Sequence, residues 1–251
     1  MRENELTSPD FWKTYWESKN NLVFSLTRRY ELGDLIESYL ANKNIRSAIE
    51  LGGFPGYYAV LLKKFYQLDT TLLDYYIHRQ INQDLCLANG LQPADIQVIE
   101  ADLFAYTPTP SYDLVISCGL IEHFEDLEDI LAKHLAFVKP GGHVLITLPN
   151  FRGVNGWVQK TFDVANYEKH NVKIMDRKVL ETAAKHVGMI DVKTYYFRRF
   201  SVWLEEANCH PLWVRGLVKG IWVAGKVITK IFPFDSKWLS PYIVLEAKKV
   251  Q

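Results

Sequence analysis

The chain has 251 residues, of which 48% are hydrophobic, 14% aromatic and 23% charged. That suffices for one large α/β domain or two small ones with a sizeable core, and it excludes a disulfide-stapled miniprotein, a disordered tail or a fibrous repeat. The 29 Lys/Arg balance the 29 Asp/Glu, so no nucleic-acid partner is expected from the totals. The balance hides two unlike halves. Residues 1–150 carry 12 Lys/Arg against 20 Asp/Glu, a net of −8, and residues 151–251 carry 17 against 9, a net of +8. Cys86, Cys118 and Cys209 show neither CxxC pairing nor His/Cys ligand spacing, which predicts a reducing cytoplasm with no disulfide and no metal. The opening MRENELTSPD lacks an apolar signal segment, so a cleaved secretion signal is not expected.

No repeat, low-complexity tract or Gly/Ser linker interrupts the chain, and a single domain over residues 1–251 is expected. Ser8-Pro9-Asp10 reads as a helix start, with Ser as cap and Pro at the first helical position. It leads into Phe11, Trp12, Tyr15 and Trp16. Residues 1–44 are therefore expected to form a helical lid over a ligand cleft, with packing on the sheet edge as the alternative. A second helix is predicted over about 28–40. Strand-like runs follow at 47–51, 71–74, 96–100, 113–117 and 143–148, separated by helical stretches at 56–66, 76–89 and 125–138. This alternation describes βαβ crossovers and a parallel sheet covered on both faces. Beyond Asn150 a capped helix over 176–187 and strands over 192–200 and 242–247 complete the prediction. The fold class is thus α/β, a Rossmann-like doubly wound sheet of seven strands, mostly parallel with one antiparallel strand near the C-terminus.

The first strand ends in Glu50-Leu51-Gly52-Gly53-Phe54-Pro55-Gly56 and runs into a helix. Glycines at such a turn let a ligand approach the backbone. Asp74 closes the second strand, 24 positions after Glu50, where a carboxylate can accept both hydroxyl protons of a ribose. Glu100-Ala101-Asp102-Leu103 and Cys118-Gly119-Leu120-Ile121-Glu122-His123 end the next two. Four successive carboxyl ends thus carry polar or glycine signatures, at the edge where doubly wound sheets bind ligands.

This ordered series resembles the class I S-adenosylmethionine-dependent methyltransferases, most closely over residues 45–150. ELGGFPG is similar to that family's glycine-rich first motif, TLLDYY to its second and IEADLF to its third. YDLVISCGLIEHFED is similar to the fourth, and VKPGGHVLITLPN to the turn and strand after it. The resemblance implies S-adenosyl-L-methionine as cofactor and a cofactor-binding core over 45–150. It places Asp74 on the ribose, with Tyr75 beside it, Asp102 on the adenine amino group and Leu103 on a ring nitrogen through its amide. Gly52, Gly53, Phe54, Cys118 and Gly119 complete the pocket, and Glu50 organises the loop or reaches the methionine amine through water. One residue departs from the usual acidic-x-Gly-x-Gly-x-Gly pattern: Phe54 stands at the middle glycine, which shifts close contact toward Gly52–Gly53. Two other readings bear on the same motifs. A nicotinamide-dependent oxidoreductase shares the glycine turn and downstream acid, but the GxGxxG spacing is missing and Asp102 and residues 118–123 go unexplained. A non-catalytic binding module of the same fold is suggested by Phe54.

Methyl transfer from a sulfonium is an in-line displacement, so holding the acceptor close and dehydrated supplies most of the catalysis. Where a base is needed, His123 is the first candidate, because it follows the fourth strand and its unperturbed pKa lies near neutrality; lining the cofactor pocket is its other reading. His170, in the segment 166–171, is the second. Asn150 and Arg152, after the fifth strand, are candidate acceptor-binding residues. The acceptor itself reads only as a small molecule, with lipid-linked and glycan-type compounds among the options. Residues 201–240 form an insertion between the last two strands. Within it LWVRGLVKGIWVAGKVITKIF, residues 212–232, has four bases and no acid. At 100° per residue Arg215, Lys219, Lys226 and Lys230 fall within an arc of about 60°. Three glycines each cost about 1 kcal/mol of helicity relative to Ala, so the segment needs an apolar partner. It is expected either to pack on the sheet or in a homodimer, or to touch the inner face of a membrane peripherally.

Overall fold

The computed structural model describes residues 5–109 and 111–251. Ser8 caps α1 (Pro9–Ser18), its hydroxyl accepting from the Phe11 amide at 3.1 Å. α2 (Gly33–Leu40) starts later than expected, because the Tyr30 and Gly33 amides close two tight turns onto Thr27 and Tyr30. There follow β1 (Ser47–Leu51), α3 (Tyr57–Tyr66), β2 (Asp69–Asp74), α4 (Arg79–Ala88), β3 (Ile96–Glu100), β4 (Tyr112–Cys118), α5 (Leu127–Phe137) and β5 (Val138–Pro149). α4 also starts late. The Asp74 carboxylate takes the Tyr76 amide at 3.1 Å, and His78 rather than an earlier residue caps the helix.

The remainder comprises α6 (Val154–Phe162), α7 (Val164–Tyr167), α8 (Arg177–His186), β6 (Met189–Phe197), α9 (Leu212–Ile231) and β7 (Tyr242–Lys249). All seven strands form one sheet in the order β3-β2-β1-β4-β5-β7-β6. β1 pairs in parallel with β2 and β4, β2 with β3, and β4 with β5. β7 lies antiparallel between β5 and β6. The order therefore reverses between β1 and β4, and that switch point opens a crevice at the strands' carboxyl ends.

Both faces of the sheet are buried. One carries α5 and α8, with Ile130, Leu131, Leu180 and Ala184 against Val115, Ile146 and Leu245. The other carries α2, α3 and α4, with Ile36, Leu61 and Leu85 against Leu72, Leu114 and Val244. Each such fully buried Leu or Ile contributes roughly 1.5–3 kcal/mol. A third, smaller cluster joins Val158 of α6, Phe200, Val202 and Leu204 to Val214 and Val218 of α9. It supplies the partner that the glycine-bearing helix requires: a Cβ on Gly225 would lie 2.0 Å from the Phe200 ring. Arg198, in the left-handed region at φ 65°, ends β6 early and sends the chain into this cluster.

Two helices, α6 and α7, occupy residues that hydrophobic periodicity does not mark as helical. Their buried face is partly polar, with Asn155, Gln159 and Asn166 beside Val158. Gln159 donates to the Trp203 carbonyl at 2.7 Å, and Asn166 donates to Gln159 Oε1 at 2.9 Å.

Candidate active site

The carboxyl ends of β1 to β4 open into a cavity of ≈ 390 Å³, within the range of small-ligand pockets. Glu50, Gly52, Gly53, Phe54, Asp74, Tyr75, Asp102, Leu103, Cys118 and Gly119 all line it. The glycine turn is shaped by its neighbours. Gly52 has φ +62°, and a Cβ there would lie 2.4 Å from Leu120 Cδ1. Behind it, a Cβ on Gly53 would lie 2.2 Å from Glu50 Oε1. Glu50 is 2% exposed and accepts the Ala59 amide at 2.7 Å, so its carboxylate braces the turn against the first turn of α3, where the helix dipole favours it. Burial nevertheless pushes this carboxyl up to about 8, against the pull of the Ala59 and Tyr58 amides.

Phe54 has a structural use. Its ring meets Trp16 edge-on at 5.3 Å and Tyr76 at 5.8 Å, and its amide donates to Asp74 Oδ2 at 2.9 Å. The residue that departs from the glycine pattern thus joins the first loop both to α1 and to the acid of β2. Burial pushes the Asp74 carboxyl up to about 6, while the Phe54, Tyr76 and Tyr75 amides pull it down and Glu100 pushes it up. Asp102 accepts the Phe104 amide at 2.8 Å.

The other end of the cavity comes from more distant parts of the chain. α1 roofs it: Trp12 packs edge-on against His123 with centroids 4.9 Å apart, and Tyr15 donates to Glu205 at 2.5 Å. Lys19 lies 3.5 Å from both Glu205 and Glu206. His123 lines the cavity and is 7% exposed. Its Nδ1–H donates to the Lys169 carbonyl at 2.9 Å, which leaves Nε2 as the acceptor. Burial, with the neighbouring His170, pushes its pKa down to about 3, so the ring is neutral near pH 7 and a weak base. His170 reaches the same spot, its ring 4.7 Å from that of His123, and its Nδ1–H donates to the Asn166 carbonyl at 2.7 Å.

Asn150 and Arg152, expected to meet the acceptor, lie elsewhere. Asn150 is 1% exposed and donates to the Lys237 and Ser240 carbonyls, both at 2.9 Å. Arg152 pairs with Asp176 at 2.6 Å on the surface. Neither is among the cavity's lining residues. The reason is a long-range contact: the chain here packs beneath residues 237–240, where a Cβ on Gly153 would lie 2.4 Å from the Trp238 carbonyl, while Pro149 and Phe151 on either side of Asn150 do line the cavity.

Sequence reasoning missed Asn171 and Glu205. Asn171 fastens the segment that carries His170. Its amide donates to the Glu122 carbonyl at 2.6 Å, and its side chain donates to the Phe124 and Glu125 carbonyls at 3.0 and 3.2 Å.

The profile of the methyltransferase-domain family matches residues 24–193, about two thirds of the chain, and the chain belongs to that family. Its sheet order is that of the class I S-adenosylmethionine-dependent fold. Among solved structures, a phosphoethanolamine N-methyltransferase 2 from Haemonchus contortus, in complex with phosphomonomethylethanolamine and S-adenosylhomocysteine, is similar with a TM-score of 0.64 at 17% identity. The match covers 97% of this chain and 58% of that one, so this chain spans little over half the nematode enzyme's length. A SAM-dependent methyltransferase from Archaeoglobus fulgidus gives 0.57 at 18% identity over 96% and 100% of the two chains. The N-methyltransferase NodS from Bradyrhizobium japonicum, bound to S-adenosylhomocysteine, gives 0.53 at 12% over 98% and 95%. At these identities the likeness is one of fold. No curated protein matches the sequence.

Proposed function

We propose that the chain transfers the methyl group of S-adenosylmethionine to a small, lipid-linked acceptor. The observation that carries the methyl-transfer reading is the single cavity whose one end collects the four strand-end motifs and whose other end collects Trp12, His123 and His170. The cradle fits the cofactor: the Gly52–Gly53 backbone has no side chain to bar close approach, and Asp74 offers a buried carboxylate for ribose hydroxyls. When bound, the cofactor supplies an electrophilic methyl on sulfur. The chain's residues hold the nucleoside, roof the site with α1 and present the neutral His123 imidazole to the acceptor. Phe54 offers no support for a non-catalytic module, because its ring is engaged with Trp16 and Tyr76.

Calorimetry with S-adenosylmethionine tests this reading. Wild type is expected to bind at one site, and Asp74→Ala at least about tenfold more weakly, the loss of about 1.4 kcal/mol or more from a charged hydrogen bond. Unchanged affinity in the variant would refute the ribose assignment.

The lipid-linked part rests on α9. Val214, Val218, Gly225 and Thr229 are buried, and the basic stripe runs beside them. The broad remaining arc is apolar and exposed, with Trp213 66%, Val227 55% and Ile231 67% exposed. A helix with one face seated on the protein and an exposed apolar face flanked by bases fits an anionic lipid surface, where each base contributes about 1 kcal/mol. Among the described residues no helix is long and apolar enough to cross a membrane. Flotation with phosphatidylglycerol vesicles at low salt is the test. Binding that is lost in Trp213→Asp/Ile231→Asp supports it, and no binding by wild type sinks it.

A further inference from the structure

We infer that Glu122, His123 and His170 form a divalent transition-metal site at the acceptor end of the cavity. One ligand atom from each of the three lies within 4.8 Å of the others, a spacing that small side-chain rotations bring to the roughly 3.4–4.4 Å that two bonds of about 2.0–2.2 Å to a single ion span. Two independent features turn this proximity into a built site.

The first is the orientation of the rings. His123 and His170 each donate Nδ1–H to a backbone carbonyl, of Lys169 at 2.9 Å and of Asn166 at 2.7 Å. A carbonyl can only accept, so each ring is fixed with its Nε2 lone pair free. A hydrogen bond of this kind on the distal nitrogen is the arrangement that orients metal-binding histidines. The second is Glu122, whose Oε2 is buried and without a hydrogen-bond partner, on a residue 1% exposed. Leaving a carboxylate oxygen dry and unpaired is costly, and a coordinated cation removes the cost.

The frame around the three residues is rigid. Asn171 ties the His170 segment to the carbonyls of Glu122, Phe124 and Glu125. Leu6 donates to the His123 carbonyl at 2.9 Å. The buried Gln159–Asn166 pair holds the carbonyl that His170 uses. Three protein ligands leave further coordination positions facing the cavity, the pattern of a catalytic rather than a structural metal. Two imidazoles with one carboxylate suit zinc, manganese or iron(II). An oxygen of the acceptor, hydroxyl or carboxylate, is the chemical class that would take an open position.

The site is independent of the methyl-transfer reading, since the ligands exist whatever occupies the nucleoside end. The test uses the full chain, stripped with chelator and titrated with cobalt(II), followed by its visible absorption. Wild type is expected to take up one equivalent, with the spectrum of a low-coordinate nitrogen and oxygen site. His170→Ala, at a partly exposed position, is expected to bind at least about tenfold more weakly. His210→Ala, at a histidine outside the site, is expected to bind like wild type. S-adenosylmethionine affinity, measured on the same samples, reports whether the variants are folded and whether the cofactor reading holds. No stoichiometric uptake by wild type, or equal uptake by folded His170→Ala, would overturn the site.

Discussion

The two ends of the cavity are built on different plans. The nucleoside end is made of strand termini, and its fixed points are backbone features: the φ +62° turn at Gly52, the Glu50 brace on Ala59 and the Phe54 amide on Asp74. The acceptor end is made of segments brought from far apart in the chain, α1, residues 120–123, residues 166–171 and residues 203–205, held by a few hydrogen bonds. A scaffold divided in this way can keep one end constant while loop changes alter what is methylated.

The largest expected effect lies at the nucleoside end. Gly52→Ala forces a side chain into the left-handed region and onto Leu120. Together these cost about 2–5 kcal/mol, seen as a lower denaturation midpoint and loss of S-adenosylmethionine binding. A variant with wild-type stability and affinity would break the claim that this end depends on backbone shape. Next, Asn171→Ala removes three side-chain hydrogen bonds, to the Phe124 and Glu125 carbonyls and from the Lys173 amide, worth about 0.5–1.5 kcal/mol each. Amide exchange over residues 166–171 should quicken roughly tenfold while the glycine turn is unchanged. Equal acceleration at both ends would mean that they are not separately held.

A smaller effect follows from Asp74, whose carboxyl sits at about 6 against an ordinary 3.8. The folded apo protein binds a proton there that the unfolded chain has lost, so this group's contribution to stability falls as pH rises from about 4 to 6. Cofactor affinity moves the other way. Ribose hydroxyls need the ionised form, so affinity should be flat above pH 6 and fall toward tenfold per unit below it, and Asp74→Asn should abolish the slope. The smallest effect belongs to Arg152→Ala, which breaks an exposed pair with Asp176 and should change stability by about 0.5 kcal/mol or less. A large loss of cofactor or metal binding would return Arg152 to the site.

The same division explains what the sequence reveals. Gly52, Asp74, Asp102 and Gly119 each close a strand in an ordered series, so their position follows from alternation alone. Asn150 and Arg152 stand outside the cavity lining because Asn150 is bonded to the Lys237 and Ser240 carbonyls, a contact across some 90 positions that no local pattern encodes. α6 and α7 carry no clear apolar periodicity because much of their buried face is polar: Gln159 and Asn166 bond to each other, and Asn155 accepts from the Trp203 amide. The metal triad was invisible for a related reason. Glu122 and His123 are adjacent, but His170 joins them only through the Asn171 clamp, and an expectation of no metal based on ligand spacing could not include it.

The most direct measurement is a crystal structure of the protein with S-adenosylhomocysteine and cobalt(II). Ribose hydroxyls are expected on Asp74, the adenine beside Asp102 and Leu103, and the sulfur directed toward a metal held by Glu122, His123 and His170. A nucleoside bound away from Asp74, or a sulfur facing away from His123 and His170, would contradict this arrangement.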